Sequence, residues 1–393
     1  MGGNLALTGN DAAAYALKQI NPDVVAAYPI TPQTELMHKF AAYEANGEVD
    51  TELILVESEH SAQSAVVGAS LSGARCCTAT SSAGLALMWE ILYVASGCRC
   101  PISMMVVNRA LSAPINIHCD HSDSMGARDS GWIQLYCENV QEAYDNFIQA
   151  VRIAEHPRVR LPVMVCMDGF VLSHTVEPLE VNGDSAVKNF IGDYRPEHTL
   201  LDVEDPRTFG TFALYNYYFE FKKQQQDAMD RALKVIPEVG REYQESFGRG
   251  YGLVDAYRCE DAEVILVGLA SAMGTAKEAA DRVRDEGLAA GVLKIRCVRP
   301  FPAEAIVDVL DRCRVLGVMD RSLSFGLGGP LFHEVRSSLH RSATPIANII
   351  YGLGGRDLRR DQIEAIFHSL VQEQSTGRVK KIRYVGLREQ GKE

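Results

Sequence analysis

The chain has 393 residues, of which 47% are hydrophobic and 23% charged, and it carries a formal net charge of −12. That composition is globular, and the length allows roughly two to three domains with sizeable cores. An acid excess disfavours a nucleic-acid or anionic-membrane surface, so small molecules and protein partners are expected.

No apolar run approaches the roughly 20 residues that cross a bilayer. The opening MGGNLALTGN has neither a basic lead nor a long apolar core, so a soluble, cytoplasmic protein is expected. In chain order, the first predicted strand, Val24–Tyr28, runs through YPITPQTE into a predicted helix, Thr34–Ala45. Proline fixes φ and disfavours helix in the residue before it, which predicts Ile30, Thr31 and Pro32 extended and stiff at the strand tip. Such a turn either lets Thr34 cap the next helix or presents one hydroxyl, that of Thr31, in a fixed place.

Further strands are predicted at Leu53–Val56, Cys76–Thr80, Ile102–Asn108 and Val163–Met167, with helices at Asp11–Ile20, Ser61–Leu71, Leu85–Ala95 and Gln141–Glu155. After Pro178 the pattern turns irregular and aromatic, through RTFGTFALYNYYFEF, up to a polar helix near Lys222–Val235. From about Asp261 a second unit begins, with strands in VILVG, GVLKIRCV, VLGVMD and NIIYGLGG and helices between them. Its glycine loops, Gly268–Gly274 and Gly326–Gly329, lack the G-x-G-x-x-G order, which favours tight packing turns over a phosphate site. The charged end, GRVKKIRYVGLREQGKE, is expected to be solvated or draped on a partner. Strands alternating with helices define the α/β class, a doubly wound parallel sheet covered on both faces.

Ten cysteines invite a metal or cluster reading, but no C-x-x-C or iron–sulfur run occurs. Most sit in strand-like segments such as RCCTAT and VMVCM, where cysteine is a small buried hydrophobe.

In a doubly wound sheet the ligand lies beyond the carboxyl ends of the strands. The unusual stretches of the first unit all fall at such ends: YPITP, ESEHS, SSAG and NRALSAPINIHCDHSDSMGARDSG. In ESEHS the acids Glu57 and Glu59 either favour a helix N-terminus through its dipole or aim a carboxyl group into an apolar site. Arg109 stands at a strand end before a loop of about 20 residues, a length that is usually functional or disordered inside a compact domain. Its planar fork suits a carboxylate or phosphate, so an anionic ligand is expected. A metal held by His118, Asp120, His121 and Asp123 is the weaker alternative, since their spacing matches no zinc pattern.

Taken together, AAYPITPQTE, ESEHSAQSAVVGAS, TATSSAGLALMWE and NRALSAPINIHCDHSDSMGARDSGW closely resemble the alpha subunit of the multi-subunit 2-oxoacid:ferredoxin oxidoreductases, the pyruvate-acting members above all. The likeness continues through GLASAMGTAKEAADRV and VRPFPAE and so covers nearly the whole chain. It implies a pyrimidine-binding thiamine diphosphate domain with a trailing linker over 1–235, a linker over 236–260, and a transketolase C-terminal-like domain over 261–393. It also implies that Glu59 is the cofactor-activating glutamate and that Thr31 and Arg109 bind the substrate. A carboxyl group sharing a proton with the aminopyrimidine favours the tautomer whose 4′-nitrogen removes the C2 proton.

No GDG stretch, which holds Mg²⁺ and diphosphate in thiamine enzymes, occurs in this chain. The resemblance therefore implies half a cofactor site here. A beta subunit would supply the Mg²⁺ and diphosphate half with a 4Fe-4S cluster, and gamma and delta subunits would carry further clusters towards ferredoxin. The expected reaction converts pyruvate and CoA to acetyl-CoA and carbon dioxide while reducing ferredoxin, and the reverse. The alternatives are the same chemistry on a branched-chain 2-oxoacid or oxalate, and a non-catalytic scaffold.

Overall fold

The computed structural model describes residues 3–310, 313–380 and 382–388. The first half contributes strands β1 (Gly3–Thr8), β2 (Val24–Ala27), β3 (Glu52–Leu55), β4 (Cys76–Thr80), β5 (Ser103–Asn108), β6 (Ile133–Tyr136), β7 (Val163–Asp168) and β8 (Val176–Val181). The second contributes β9 (Val254–Tyr257), β10 (Val264–Gly268), β11 (Ala290–Ile295), β12 (Cys297–Arg299), β13 (Val315–Asp320), β14 (Ile346–Ile350) and β15 (Ile382–Tyr384).

One sheet runs in the order β12-β6-β7-β5-β4-β2-β3 and is parallel except for β12. The other runs β15-β14-β13-β10-β11-β9 and is parallel except for β9. A two-stranded antiparallel ribbon, β1 with β8, completes the β-structure among the described residues. Parallel strands buried on both faces read as continuous apolar runs, and β4 shows why. Cys76 packs into one hydrophobic cluster and Cys77 into another, because side chains alternate across the sheet. Nine of the ten cysteines are buried, with Cys98 partly exposed.

Helix starts follow local capping. Thr8 accepts the Asp11 amide at the start of helix Gly9–Ile20, Ser58 that of Ser61 at the start of Glu59–Leu71, and Asn139 that of Glu142 at the start of Val140–Ala154. Several expectations need correction. The helix expected over Leu85–Ala95 is two, Ser82–Leu87 and Trp89–Gly97. The strand expected in GVLKIRCV divides at Arg296, whose amide donates to Leu253 O and whose carbonyl accepts from Tyr136 N. Its buried guanidinium donates to Asn146 and Gln149, so the chain there crosses from the second sheet to the first.

The polar helix expected near Lys222–Val235 extends over Tyr218–Phe247 and so runs through the expected boundary at residue 235. Within the expected linker, 236–260, Val254–Tyr257 forms edge strand β9. In the charged end, Ile382–Tyr384 pairs in parallel with β14, while residues 389–393 lie outside the described part.

The two sheets share a core: one buried cluster runs from Ala62, Leu92 and Trp132 to Val267, Ile306 and Leu316. Buried charges join them too, with Lys294 on β11 donating to Glu142 and paired with Glu138 at 2.7 Å. No described helix is long and apolar enough to cross a membrane.

Candidate active site

The strand order of the larger sheet reverses between β2 and β4, since β3 lies on the far side of β2. That switch point opens a crevice at the carboxyl ends. The turns after β2, β3, β4 and β5 all face it.

After β2 the chain makes a β-turn instead of the expected extended stretch. Gln33 N donates to Ile30 O at 2.8 Å, and the buried Gln33 side chain closes the turn by accepting from Ile30 N and donating to Ala79 O. Asn10 grips Pro32 O at 2.8 Å. Held in this way, Thr31 is exposed, and its hydroxyl has no protein partner among the described residues. Gly169 lets β7 approach, since a Cβ there would lie 2.4 Å from Asn108 O and 2.7 Å from Pro32 Cγ.

Arg109, 9% exposed, follows β5 directly. Its Nη1 donates to Thr31 O at 3.0 Å and its Nε to Asn116 O at 2.9 Å, so the structure brings Thr31 and Arg109 together. Nη2 has no protein partner among the described residues. The hub behind it is Asp123, whose carboxylate accepts from Arg109 N, Ser82 N, Asn108 Nδ2 and Ser124 N at 2.7–3.0 Å. One side chain thereby fixes the ends of both β4 and β5. Burial pushes its carboxyl up to about 6 in spite of those four donors.

After β3 the two glutamates separate. Glu57 is exposed, whereas Glu59, first residue of its helix, is 6% exposed. The Glu59 carboxyl has no protein hydrogen bond among the described residues. It lies against Gly84, where a Cβ would sit 2.7 Å from Glu59 Oε1 and 2.6 Å from Thr80 Oγ1. Thr80 Oγ1, which meets the same Gly84 position, is buried without a protein partner, as are Ser81 Oγ and both polar atoms of Gln63. Gln63 is one helical turn on from Glu59, on the same face. A closely approached carboxyl among unpaired donors and acceptors suits a flat heterocycle carrying both kinds of group.

The loop after Arg109 does not gather its acids and imidazoles. His118 lies beside Phe170 with tilted rings, Asp120 accepts from Ser122 and Gly354, Asp123 is the hub above, and His121 faces Asp168 at 2.7 Å. Asp168, at the end of β7, ties the two sheets: it accepts from Arg321 Nη1 at 2.9 Å and from Ser271 Oγ, both in the second unit. Burial pushes this carboxyl up, but His121 and Arg321 outweigh it and hold it well below the usual carboxylate range. Cys119 joins His121 and Asp168 in one buried group of donor types. With Arg321 and His121 both bonded to the same carboxylate, the group reads as a polar strut joining the two sheets. Sequence reasoning missed Asp168 and Arg321, although each ends or follows a buried apolar run.

Residues 15–241 match the family profile described as "Pyruvate flavodoxin/ferredoxin oxidoreductase, thiamine diP-bdg", and 262–363 match "Pyruvate:ferredoxin oxidoreductase core domain II". The class is therefore that of α/β proteins with a thiamine diphosphate-binding domain. Pyruvate synthase subunit PorA of Thermotoga maritima is 53% identical over 98% of both chains, and its counterpart in Methanocaldococcus jannaschii is 48% identical over 98% of both. Ketoisovalerate oxidoreductase subunit VorA of Pyrococcus horikoshii is 43% identical over 95% of both. The chain belongs to the pyruvate:ferredoxin oxidoreductase family. Among solved structures, a 2-oxoglutarate:ferredoxin oxidoreductase from Magnetococcus marinus shares the fold with a TM-score of 0.74 at 20% identity, over 94% of this chain and 65% of that one. A split-gene transketolase does so at 0.54 and 14% identity, over 94% and 99%.

Proposed function

We propose that this chain is the catalytic alpha subunit of a pyruvate:ferredoxin oxidoreductase that works in the cytoplasm. It would assemble with beta, gamma and delta subunits that hold Mg²⁺, the diphosphate half of the cofactor site and the 4Fe-4S clusters. The observation that carries the reading is the Glu59 carboxyl, buried against Gly84 among polar atoms with no protein partner.

Glu59, with Gln63, Thr80 and Ser81, would hold the aminopyrimidine of thiamine diphosphate. When bound, that cofactor supplies the nucleophilic carbon and the electron sink for decarboxylation. Glu59 keeps a proton at the pyrimidine ring nitrogen, a general acid–base contribution typically worth roughly 10² to 10⁴ in rate. Arg109 offers its unpartnered Nη2 to the pyruvate carboxylate, with its plane set by two backbone carbonyls. Thr31, beside it, gives its hydroxyl to the ketone oxygen. The net reaction would release carbon dioxide, transfer the acetyl group to the CoA sulfur with loss of the thiol proton, and give two electrons to two ferredoxins, for which the partner subunits would hold the clusters.

The test is reconstitution with the partner subunits, followed by CoA-dependent viologen or ferredoxin reduction with pyruvate and with 3-methyl-2-oxobutanoate. Pyruvate should be preferred in kcat/KM. The branched acid is the second reading, motivated by the 43% identical ketoisovalerate relative, and its preference would move the substrate assignment there. Glu59→Gln should slow turnover by roughly 10² to 10⁴ while assembly persists. Full turnover in that variant would leave the chain a scaffold.

A further inference from the structure

We infer that Asn116 is a positioning residue for Arg109, and that it does this by docking the substrate loop on the Gly354–Gly355 turn of the second unit. The inference rests on the proposed role of Arg109 as the carboxylate clamp. Two carbonyls orient the guanidinium. That of Thr31 sits in a turn locked by Gln33 and Asn10, so it is fixed within the first unit. That of Asn116 sits in a loop whose residues 112–115 are exposed, so its position must come from elsewhere.

The Asn116 side chain supplies that position. Its Nδ2 donates to Gly354 O at 3.1 Å and its Oδ1 accepts from His118 N at 2.6 Å. Gly354 N donates in turn to Asp120 Oδ2 at 3.3 Å, so the turn and the loop are bonded in both directions. The turn is shaped to receive the loop. Gly354 has φ +62° and a Cβ there would lie 2.5 Å from Asn116 Nδ2. Gly355 has φ +82° and a Cβ there would lie 2.3 Å from the His118 Cβ. Neither position tolerates a side chain, in conformation or in space. The second unit thus does more than cover the first: through Asn116 it sets the plane of the arginine that meets the substrate.

Asn116→Ala keeps the carbonyl that Arg109 uses and removes both side-chain bonds. In the assembled complex, KM for pyruvate should rise about tenfold, which is 1.4 kcal/mol, the order of one ordinary hydrogen bond. Turnover at saturation should stay within about threefold, and hydrogen–deuterium exchange at cofactor C2, which depends on Glu59, should not change. A purely structural loss would lower turnover and exchange together and leave KM unchanged. In an Arg109→Met background, Asn116→Ala should add less than about twofold, because it acts through the group already removed.

An equal rise in KM in both backgrounds would overturn the inference and leave the role of Arg109 intact, as would no rise in either. If Arg109→Met itself leaves KM for pyruvate unchanged, the reading of Arg109 fails and this inference with it. Should Asn116→Ala not assemble, Asn116→Asp serves instead. It keeps the acceptor for His118 N but sets an oxygen against Gly354 O, and the same KM rise is required of it.

Discussion

Gly84→Ala displaces the Glu59 carboxyl without removing it, and its effect follows from distance alone. The new Cβ would lie 2.7 Å from Glu59 Oε1, 2.8 Å from Glu59 Cγ and 2.6 Å from Thr80 Oγ1. Ordinary contact for such atoms begins near 3.4 Å, so the carboxyl must retreat by 3.4 − 2.7, about 0.7 Å. On the proposed reading, a hydrogen bond of about 2.8 Å from this carboxyl to the pyrimidine nitrogen would open to about 3.5 Å and be lost. Misplacing a reacting group on this scale costs on the order of 10²-fold. Hydrogen–deuterium exchange at cofactor C2 in the assembled complex should therefore slow by about that factor. Overpacking costs about 1 to 3 kcal/mol, offset in part by the helix preference for alanine of up to about 1 kcal/mol, so assembly should survive. Glu59→Gln should slow exchange further. If both variants exchange at the parent rate, Glu59 has no part in activating the cofactor, and exposed Glu57 is the next residue to test.

Arg109→Met should lower kcat/KM for pyruvate by roughly 10² or more, because on the proposed reading the carboxylate loses its charged partner. Thr31→Val should cost only about 0.5 to 1.5 kcal/mol, one neutral hydrogen bond, so parallel kinetics should rank the two, and the reverse order would displace the substrate from this turn. The isolated chain should bind thiamine diphosphate weakly or not at all by calorimetry, and tight Mg²⁺-dependent binding would refute a site shared with a partner. Asp168→Asn should lower the melting temperature of the complex by leaving Arg321 with a neutral partner. Because the folded Asp168 carboxyl is held below its unfolded value near 3.9, the parent's advantage should be full above about pH 4 and shrink as pH falls further. An advantage independent of pH between 3 and 7 would mean that its charge does not join the two units.

The sequence made the central strands legible because strands buried on both faces are continuous apolar runs; Cys76–Thr80 was bounded to the residue. Strand β6 escaped, since IQLY is short and carries a buried Gln134, and β1 escaped because an exposed ribbon has no core pattern. Helix Tyr218–Phe247 reads short because Pro237 stands inside it. It continues past the proline because Val239 and Tyr243 extend the buried stripe of Val235 and Ile236. Thr31 and Arg109, the residues proposed to meet the substrate, are placed by the pattern at strand ends. The choice between Glu57 and Glu59 was not findable from pattern, since which one faces inward depends on where the helix begins. Asn116 left no signal at all: its role needs a turn from the other unit, and no local pattern brings that turn to the loop.

What separates the proposed reacting group from the supporting ones is how far the chain satisfies it. Asp123 accepts four hydrogen bonds and Asp168 is held by His121, Ser271 and Arg321, so each is saturated and has nothing left to offer a ligand. Glu59 is as deeply placed, yet it has no protein partner among the described residues, and Gln63, Thr80 and Ser81 are equally unpaired. Each buried polar group left without a partner costs about 1 to 3 kcal/mol, and a bound ligand that supplied partners to these groups would recover that cost. Saturated carboxylates hold the strand ends still, and the unsatisfied one waits at the crevice. On the proposed reading, the same division separates a finished scaffold from a site that the cofactor and partner chains would complete.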